Sequence, residues 1–477
     1  MEPVAATKPW AVFLGVLACF LFVSALGFDA PPLFLPQGKS QPLHADEAVQ
    51  WSLAKEFSEG APYSSNGDRF HGPTLAVSLK AASKLTGTAF ADMSESYLRN
   101  VAGFYLLLLS LAALALPGVS LASRATAAAF CFLIGGGAPF GFYGVQEVLL
   151  VAGLAWGAVL WLRSEATESP EPRGLWRLLS GLAFGFALAC KVTAAAYLFF
   201  FFVALTIVRR PWADRHLPVF LLGLVASWAT FQSVGFTDIH GLRTWWQQLA
   251  RALGVASGRS EDTLTAASYW PWIWAALWLL EFSLQRFLRE RHLPFRTSPA
   301  DFILVFVGLI FVFHLLLPYK TPWLLYGVMA LPLVLLVPAQ LGGGWRKDGL
   351  LLVGLMVAAT YAAGDFADHS KTDRTPLRAF LDNVYDLSRS YQASGRKFYV
   401  AVEGGHYWPL PYYLREYPVG YGDFPQAAQA PLRLIPATDA SEPVVPGYAV
   451  SSLTLRQGGD RYWVLVAKGY ESGFIGK

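Results

Sequence analysis

The chain has 477 residues, of which 54% are hydrophobic and only 15% charged. Soluble globular chains carry about 25% charged residues, so this composition and a mean hydropathy of +0.39 exclude an ordinary water-soluble globule. The net charge of +4 is small and its basic residues are dispersed, which gives no footprint for nucleic acid.

A membrane-spanning helix needs about 20 mostly apolar residues. Charge-poor runs predict eleven: 9–28, 99–117, 125–142, 145–162, 176–191, 192–208, 217–235, 268–285, 301–317, 321–340 and 349–364. A signal peptide is the competing reading of the first run, but the run is longer than a signal-peptide core and ends Gly27-Phe28-Asp29-Ala30-Pro31-Pro32, which favours a retained helix. The run 176–208 contains only Lys191 and reads either as two short helices or as one long tilted one. Cys19, Cys131 and Cys190 all fall in apolar runs, which leaves no disulfide framework in the polar segments.

Lys and Arg gather on the cytoplasmic side of membrane proteins. Placing the N-terminus inside puts Lys8, Arg124, Arg163, Arg173, Arg177, Arg209, Arg210, Arg215, Arg286, Arg289, Arg291, Arg296, Arg346 and Lys347 on that side. The long loop 29–98 then lies outside with only Lys39, Lys55, Arg69, Lys80 and Lys84. The C-terminal segment lies outside as well.

Within loop 29–98, Glu47 to Phe57 carries Val49, Leu53, Ala54 and Phe57 on one stripe, and Leu75 to Leu85 repeats the pattern. Both read as helices lying in the interface, with Gly72-Pro73 as the break before the second. A second outer loop, 236–267, contains Arg243 and Arg251. After Gly364 the composition changes. Residues 374–391 predict a helix, 397–402 and 461–467 predict strands, and Tyr407 to Leu414 a helix or irregular segment between them. The expected architecture is an all-α polytopic membrane protein over 1–364, followed by a small extracytoplasmic α/β domain over 365–477.

Five places hold candidate chemistry. Asp46 and Glu47 stand at a predicted helix start, where capping and the helix dipole favour carboxylates. His44 and His71 lie in the same loop. A carboxylate held there can accept a proton or bind a divalent ion, although a bare acidic pair also suits a solvated face. Glu147 is a lone charge in the run 125–162, and intramembrane carboxylates are expensive and usually functional; an interfacial capped Glu is the bland alternative. Lys191 is similarly isolated between two apolar runs. Lys320, in the turn Pro318-Tyr319-Lys320-Thr321-Pro322-Trp323, is a compact charge suited to a lipid phosphate, though a tight interfacial hairpin explains the prolines and aromatics equally well. Walker, dinucleotide-binding and His-Glu-x-x-His signatures do not occur.

Taken in order, His44-Ala45-Asp46-Glu47-Ala48, Phe70-His71-Gly72-Pro73, Gln146-Glu147, Lys191-Val192-Thr193, the Pro318–Trp323 turn and Tyr407–Leu414 resemble the GT-C superfamily of membrane glycosyltransferases. More narrowly, they resemble a bacterial and archaeal family of flippase-activity-associated, glycosyltransferase-like (mannosyltransferase-like) membrane proteins. The resemblance implies a multi-pass protein of the cytoplasmic membrane. It implies a sugar donor carried on polyprenyl phosphate and an acceptor glycan, lipid or protein at the outer face. Asp46 is then the base and Glu47 its neighbour, orienting the acceptor or helping bind a metal, with Glu147 as second acid and Lys320 on the leaving phosphate. His71, Lys191 and Arg243 fall to substrate binding. Some members use a divalent metal and others do not; here His44 and Asp46 are the residues that would hold one. The competing expectation is a non-catalytic accessory or transport protein that binds lipid-linked sugars. Transporters place their polar groups at mid-membrane broken helices, whereas these cluster at helix ends.

Overall fold

The computed structural model describes residues 42–63, 71–137, 144–209, 214–256, 299–316, 330–332, 334–335, 374–405, 407–437, 441–455 and 461–470. The expected spans at 9–28, 268–285 and 349–364, most of 321–340, and Lys320 lie outside these residues.

Two short helices open the described chain: α1 (Ala45–Ser58) and α2 (Thr74–Thr86). Seven apolar helices follow: α3 (Glu95–Leu114), α4 (Leu121–Gly137), α5 (Gln146–Ala166), α6 (Pro170–Cys190), α7 (Ala194–Arg209), α8 (Leu217–Gln232) and, after α9 (His240–Ala256), α10 (Pro299–Leu316). Among the described residues, α3 and α5 are by length and composition able to cross a membrane, while α7, α8 and most of α10 are shorter apolar helices. The ambiguity over 176–208 resolves into two helices. The chain leaves α6 at Lys191, which is extended (φ −158°, ψ 141°), and turns back into α7. Phe184 of α6 and Phe201 of α7 then meet at 4.5 Å between ring centroids.

α5 is buried along nearly its whole length and packs between α3 and α6, while α6 also packs along α8 and α7 packs on α10. Lipid tails are as apolar as leucine, so helices in a membrane are held by close van der Waals packing at small residues. That is the arrangement between α6 and α8. A Cβ on Gly181 would stand 2.0 Å from the Phe220 carbonyl oxygen, and one on Gly185 would stand 2.3 Å from that of Leu224. Trp161, Phe184, Phe201, Phe220, Phe302 and Phe306 fill the interior with edge-on and stacked ring pairs.

Arg124, Arg163 and Arg177 lie at one end of this bundle. Arg124 Nη1 donates to Leu114 O at 2.8 Å and Arg163 Nε to Ala115 O, which satisfies carbonyls left open at the end of α3. Arg177 donates to Asp214 Oδ2 from Nε (2.9 Å) and Nη2 (2.6 Å), with its guanidinium 3.3 Å over the Trp161 ring centroid. The opposite end carries α1, α2 and α9. α9 falls where a loop was expected; Trp245, Leu249 and Ala252 form its packed stripe, while Trp246 and Leu253 stay exposed.

The C-terminal portion begins with α11 (Arg374–Ala393), close to expectation. Five strands form one mixed sheet: β1 (Val400–Val402), β2 (Val419–Tyr421), β3 (Leu432–Pro436), β4 (Tyr448–Thr454) and β5 (Arg461–Ala467). Their order is β2-β1-β3-β5-β4, parallel across β2-β1-β3 and antiparallel beyond. Leu377, Phe380, Val384 and Leu387 of α11 pack in one core with Val400, Leu432, Leu434, Val464 and Val466 of the sheet. The short helix α12 (Leu410–Tyr413) serves two cores. Leu410 and Leu414 belong to this one, while Tyr412 belongs to the main one and meets Trp51 of α1 edge-on at 5.1 Å.

Candidate functional site

The site is built on the first turn of α1. His44 caps the helix: its Nδ1 accepts from Asp46 N at 3.2 Å, and its own N–H donates to Glu47 Oε2 at 2.9 Å. Such reciprocal capping satisfies backbone donors that a helix start otherwise leaves open. Asp46 is half-buried, and none of the described residues donates a side-chain hydrogen bond to its carboxylate.

Glu47 has a different environment. It is completely buried, and Arg99 donates to it twice, from Nε to Oε1 at 3.1 Å and from Nη2 to Oε2 at 2.8 Å. Gly144 N donates to Oε1 at 2.9 Å. Burial alone would raise this carboxyl's pKa; the Arg99 charge and the Arg99, Gly144 and His44 hydrogen bonds outweigh it and hold the pKa below its ordinary value. With both oxygens engaged, Glu47 fixes the site.

One turn along α1, on the same face as Asp46, Gln50 Oε1 accepts from Gln146 Nε2 at 3.3 Å. Gln146 also donates to Gly72 O and accepts from Thr74 Oγ1 at 2.7 Å. Its neighbour Glu147 opens α5 and is paired with Lys191, the two expected lone charges forming one buried ion pair. His71 lies beside Lys191. His71 reaches this place because residues 71–72 lie along the break between α6 and α7. His71 bridges to Lys191, and Gly72 N donates to Cys190 O at 2.8 Å. Only glycine fits there: a Cβ at position 72 would stand 1.7 Å from Ala189 O.

The structure thus places Asp46 and Glu47 on the first turn of α1 and His71, Glu147 and Lys191 around the start of α5, with the Gln50–Gln146 hydrogen bond linking α1 to α5. Arg243 and Arg251 stand exposed on α9, which reaches the site instead through Gln248, donating to His71 O at 2.9 Å, and Trp245, donating to Leu188 O at 3.0 Å. His314 is buried in α10 and shares a hydrogen bond with Tyr197. Among the described residues no three His, Cys, Asp or Glu side chains group as metal ligands. His44 commits its Nδ1 to the helix cap.

Sequence reading passed over Arg99, Gln50, Gln248 and Gly144. Arg99 left a signal, since it is a lone cation opening an apolar run, as Glu147 and Lys191 are. The others are ordinary polar residues or glycines until their partners are known.

No family model matches the chain, and no curated protein matches it in sequence. Solved structures do. ArnT from Cupriavidus metallidurans bound to undecaprenyl phosphate is similar over 98% of this chain and 99% of its own, with a TM-score of 0.63 at 14% identity. The apo state of the same protein gives 0.61 at 14% identity, over 95% and 98%. The Archaeoglobus fulgidus oligosaccharyltransferase in its apo form gives a looser likeness, 0.49 at 10% identity, over 90% of this chain and 66% of its own. Matched end to end with ArnT, the chain shares the fold of that protein.

Proposed function

We propose that the protein is a glycosyltransferase that moves a sugar from a polyprenyl-phosphate donor to an acceptor, with Asp46 as base. The observation that carries this reading is the half-buried Asp46 carboxylate on a helix start held rigid by Glu47, Arg99 and Gly144. A general base must be available to substrate yet fixed in direction. The likeness to ArnT, which binds undecaprenyl phosphate, supports the donor class.

In the proposed reaction Asp46 takes the proton of an acceptor hydroxyl. The oxygen attacks the anomeric carbon from the face opposite the phosphate. The bond from that carbon to the phosphate oxygen breaks, and polyprenyl phosphate leaves with the electron pair, so the anomeric centre inverts. The departing charge needs a fixed cation. Lys320 is proposed for that role from its sequence context, and the Lys191–Glu147 pair with His71 forms the polar floor beneath the donor. Glu147 is the second acid; Arg243 is a further candidate for the lipid phosphate. The reading makes the sugar a hexose and routes no step through a metal.

It also sets the arginine-rich end of the bundle in the cytoplasm and the site at the outer face of the cytoplasmic membrane. The N-terminus is then inside, and residues 365–477 form an extracytoplasmic domain beside the transmembrane domain 1–364.

The test is transfer from purified undecaprenyl-phosphate sugars by the full chain. Wild type transfers, and Asp46→Asn loses about 10²–10⁴-fold in rate while inserting and melting normally. Full activity in Asp46→Asn would remove the base. Tight binding of undecaprenyl phosphate with no transfer of any sugar would favour the accessory protein instead.

A further inference from the structure

Three consecutive backbone groups lead into the Asp46 helix, and each is held by a different side chain. Pro42 O accepts from Arg99 Nη2 at 3.3 Å, Leu43 N donates to Tyr413 Oη at 2.6 Å, and His44 N donates to Glu47 Oε2 at 2.9 Å. Arg99 belongs to α3, Glu47 to α1 and Tyr413 to α12, in the C-terminal portion. Tyr413 in turn donates to Glu95 Oε1 at 3.1 Å, one turn before Arg99 on α3. The phenol is therefore both acceptor and donor, tying the Leu43 amide to the helix that carries Arg99.

The contact is part of a docked surface. Tyr412 Oη donates to Met93 O at 2.8 Å, and its ring meets Trp51 edge-on. Arg415 Nε donates to Ala91 O at 2.9 Å, with its guanidinium 4.2 Å over the Tyr412 ring centroid. Leu43 is fully buried beneath this seam. Burial and then the Glu95 charge push the Tyr413 phenol well above its ordinary pKa, so it stays a neutral donor across the physiological range.

We infer that Tyr413 is a positioning residue for Asp46: through the Leu43 amide, the C-terminal portion sets the direction of the helix start that aims the proposed base. The inference rests on the transferase reading above and extends it. The C-terminal portion becomes a structural part of the reactive centre, so anything that lifts α12 from α1 loosens Asp46.

Two measurements on the full chain in detergent test it, comparing wild type with Tyr413→Phe, which keeps the ring and removes the hydroxyl. The first is hydrogen exchange of residues 42–48. Loss of one buried hydrogen bond speeds local exchange roughly fivefold, with β5 (Arg461–Ala467) unchanged to show that the fold is intact. The second is steady-state transfer from undecaprenyl-phosphate hexoses. Misaiming a base lowers kcat about tenfold and leaves the donor KM within about twofold of wild type. A protein that merely lost stability would also lower apparent kcat through a smaller active fraction, and it is told apart by faster exchange in β5 as well as at 42–48. Tyr448→Phe is the control, because its hydroxyl donates to the Ala428 and Ala430 carbonyls in the same portion, away from residues 42–48; it leaves both readouts at wild type.

Unchanged exchange at 42–48, unchanged kcat, or a change confined to KM overturns the inference. If wild type transfers no sugar, the transferase reading fails separately and the exchange result alone decides whether Tyr413 holds this segment.

Discussion

Arg99 and Glu47 lie 52 residues apart and form a two-point ion pair at 3.1 and 2.8 Å, with Glu47 fully buried and Arg99 nearly so. Bidentate guanidinium–carboxylate pairs fix orientation as well as distance. Here the orientation fixed is that of α1, because Glu47 also accepts the His44 amide at the helix start and the Gly144 amide from the loop before α5. One carboxylate joins α1, α3 and the approach to α5, and its neighbour Asp46 inherits the rigidity.

Breaking that pair from one side leaves an uncompensated buried charge. Arg99→Met lowers stability by about 3–5 kcal/mol, read as thermal melting in detergent. The double variant Arg99→Met with Glu47→Leu recovers much of the loss, since both charges leave together. If the single and double variants melt alike, the pair carries no such coupling.

The pH dependence has a defined sign. The Glu47 pKa is lowered in the folded protein, so its contribution is present in full above the unfolded value of about 4.3. It disappears as pH falls below that value toward the folded pKa. Melting of wild type and Glu47→Gln between neutral pH and acid checks this. The wild-type advantage is constant at neutral pH and narrows below about pH 4.3; an advantage that grows in acid contradicts the assignment.

Gly72 has no room for a side chain, because its backbone meets Ala189 and Cys190 directly. Gly72→Ala forces the 71–72 segment off the α6–α7 break. The cost is at least about 1–3 kcal/mol, with lost transfer because His71 no longer faces Lys191 and Glu147. A variant that melts and turns over like wild type would mean that the segment lies elsewhere.

Much of this arrangement is visible in the chain itself. The stripe Val49, Leu53, Ala54 and Phe57 announces α1, and Leu377, Phe380, Leu381 and Val384 announce α11, because helical periodicity is local. β5 reads as a strand over its observed range. β2 and β3 do not, since they are short, proline-flanked and defined by pairing with β1 rather than by local pattern; β4 is as long as β5 and is defined by its pairing with that next strand. α9 is hidden because Arg243, Gln247, Gln248 and Arg251 make its stretch look like a polar loop; its packed stripe emerges only against Leu188 and His71.

Hydropathy and charge by themselves predict a membrane chain, locate the apolar helices among the described residues, and put Asp46 at a helix start in a long polar loop. These properties belong to runs of adjacent residues, so they need no partner to be read. Which acid is anchored and which is available is decided by the tertiary structure alone. Asp46 and Glu47 are adjacent in sequence, yet successive helical positions face different ways. One therefore meets Arg99 and Gly144 in the interior while the other remains half-buried at the surface of the site. The same holds for Leu43 and Tyr413, joined across 370 residues by packing between two cores.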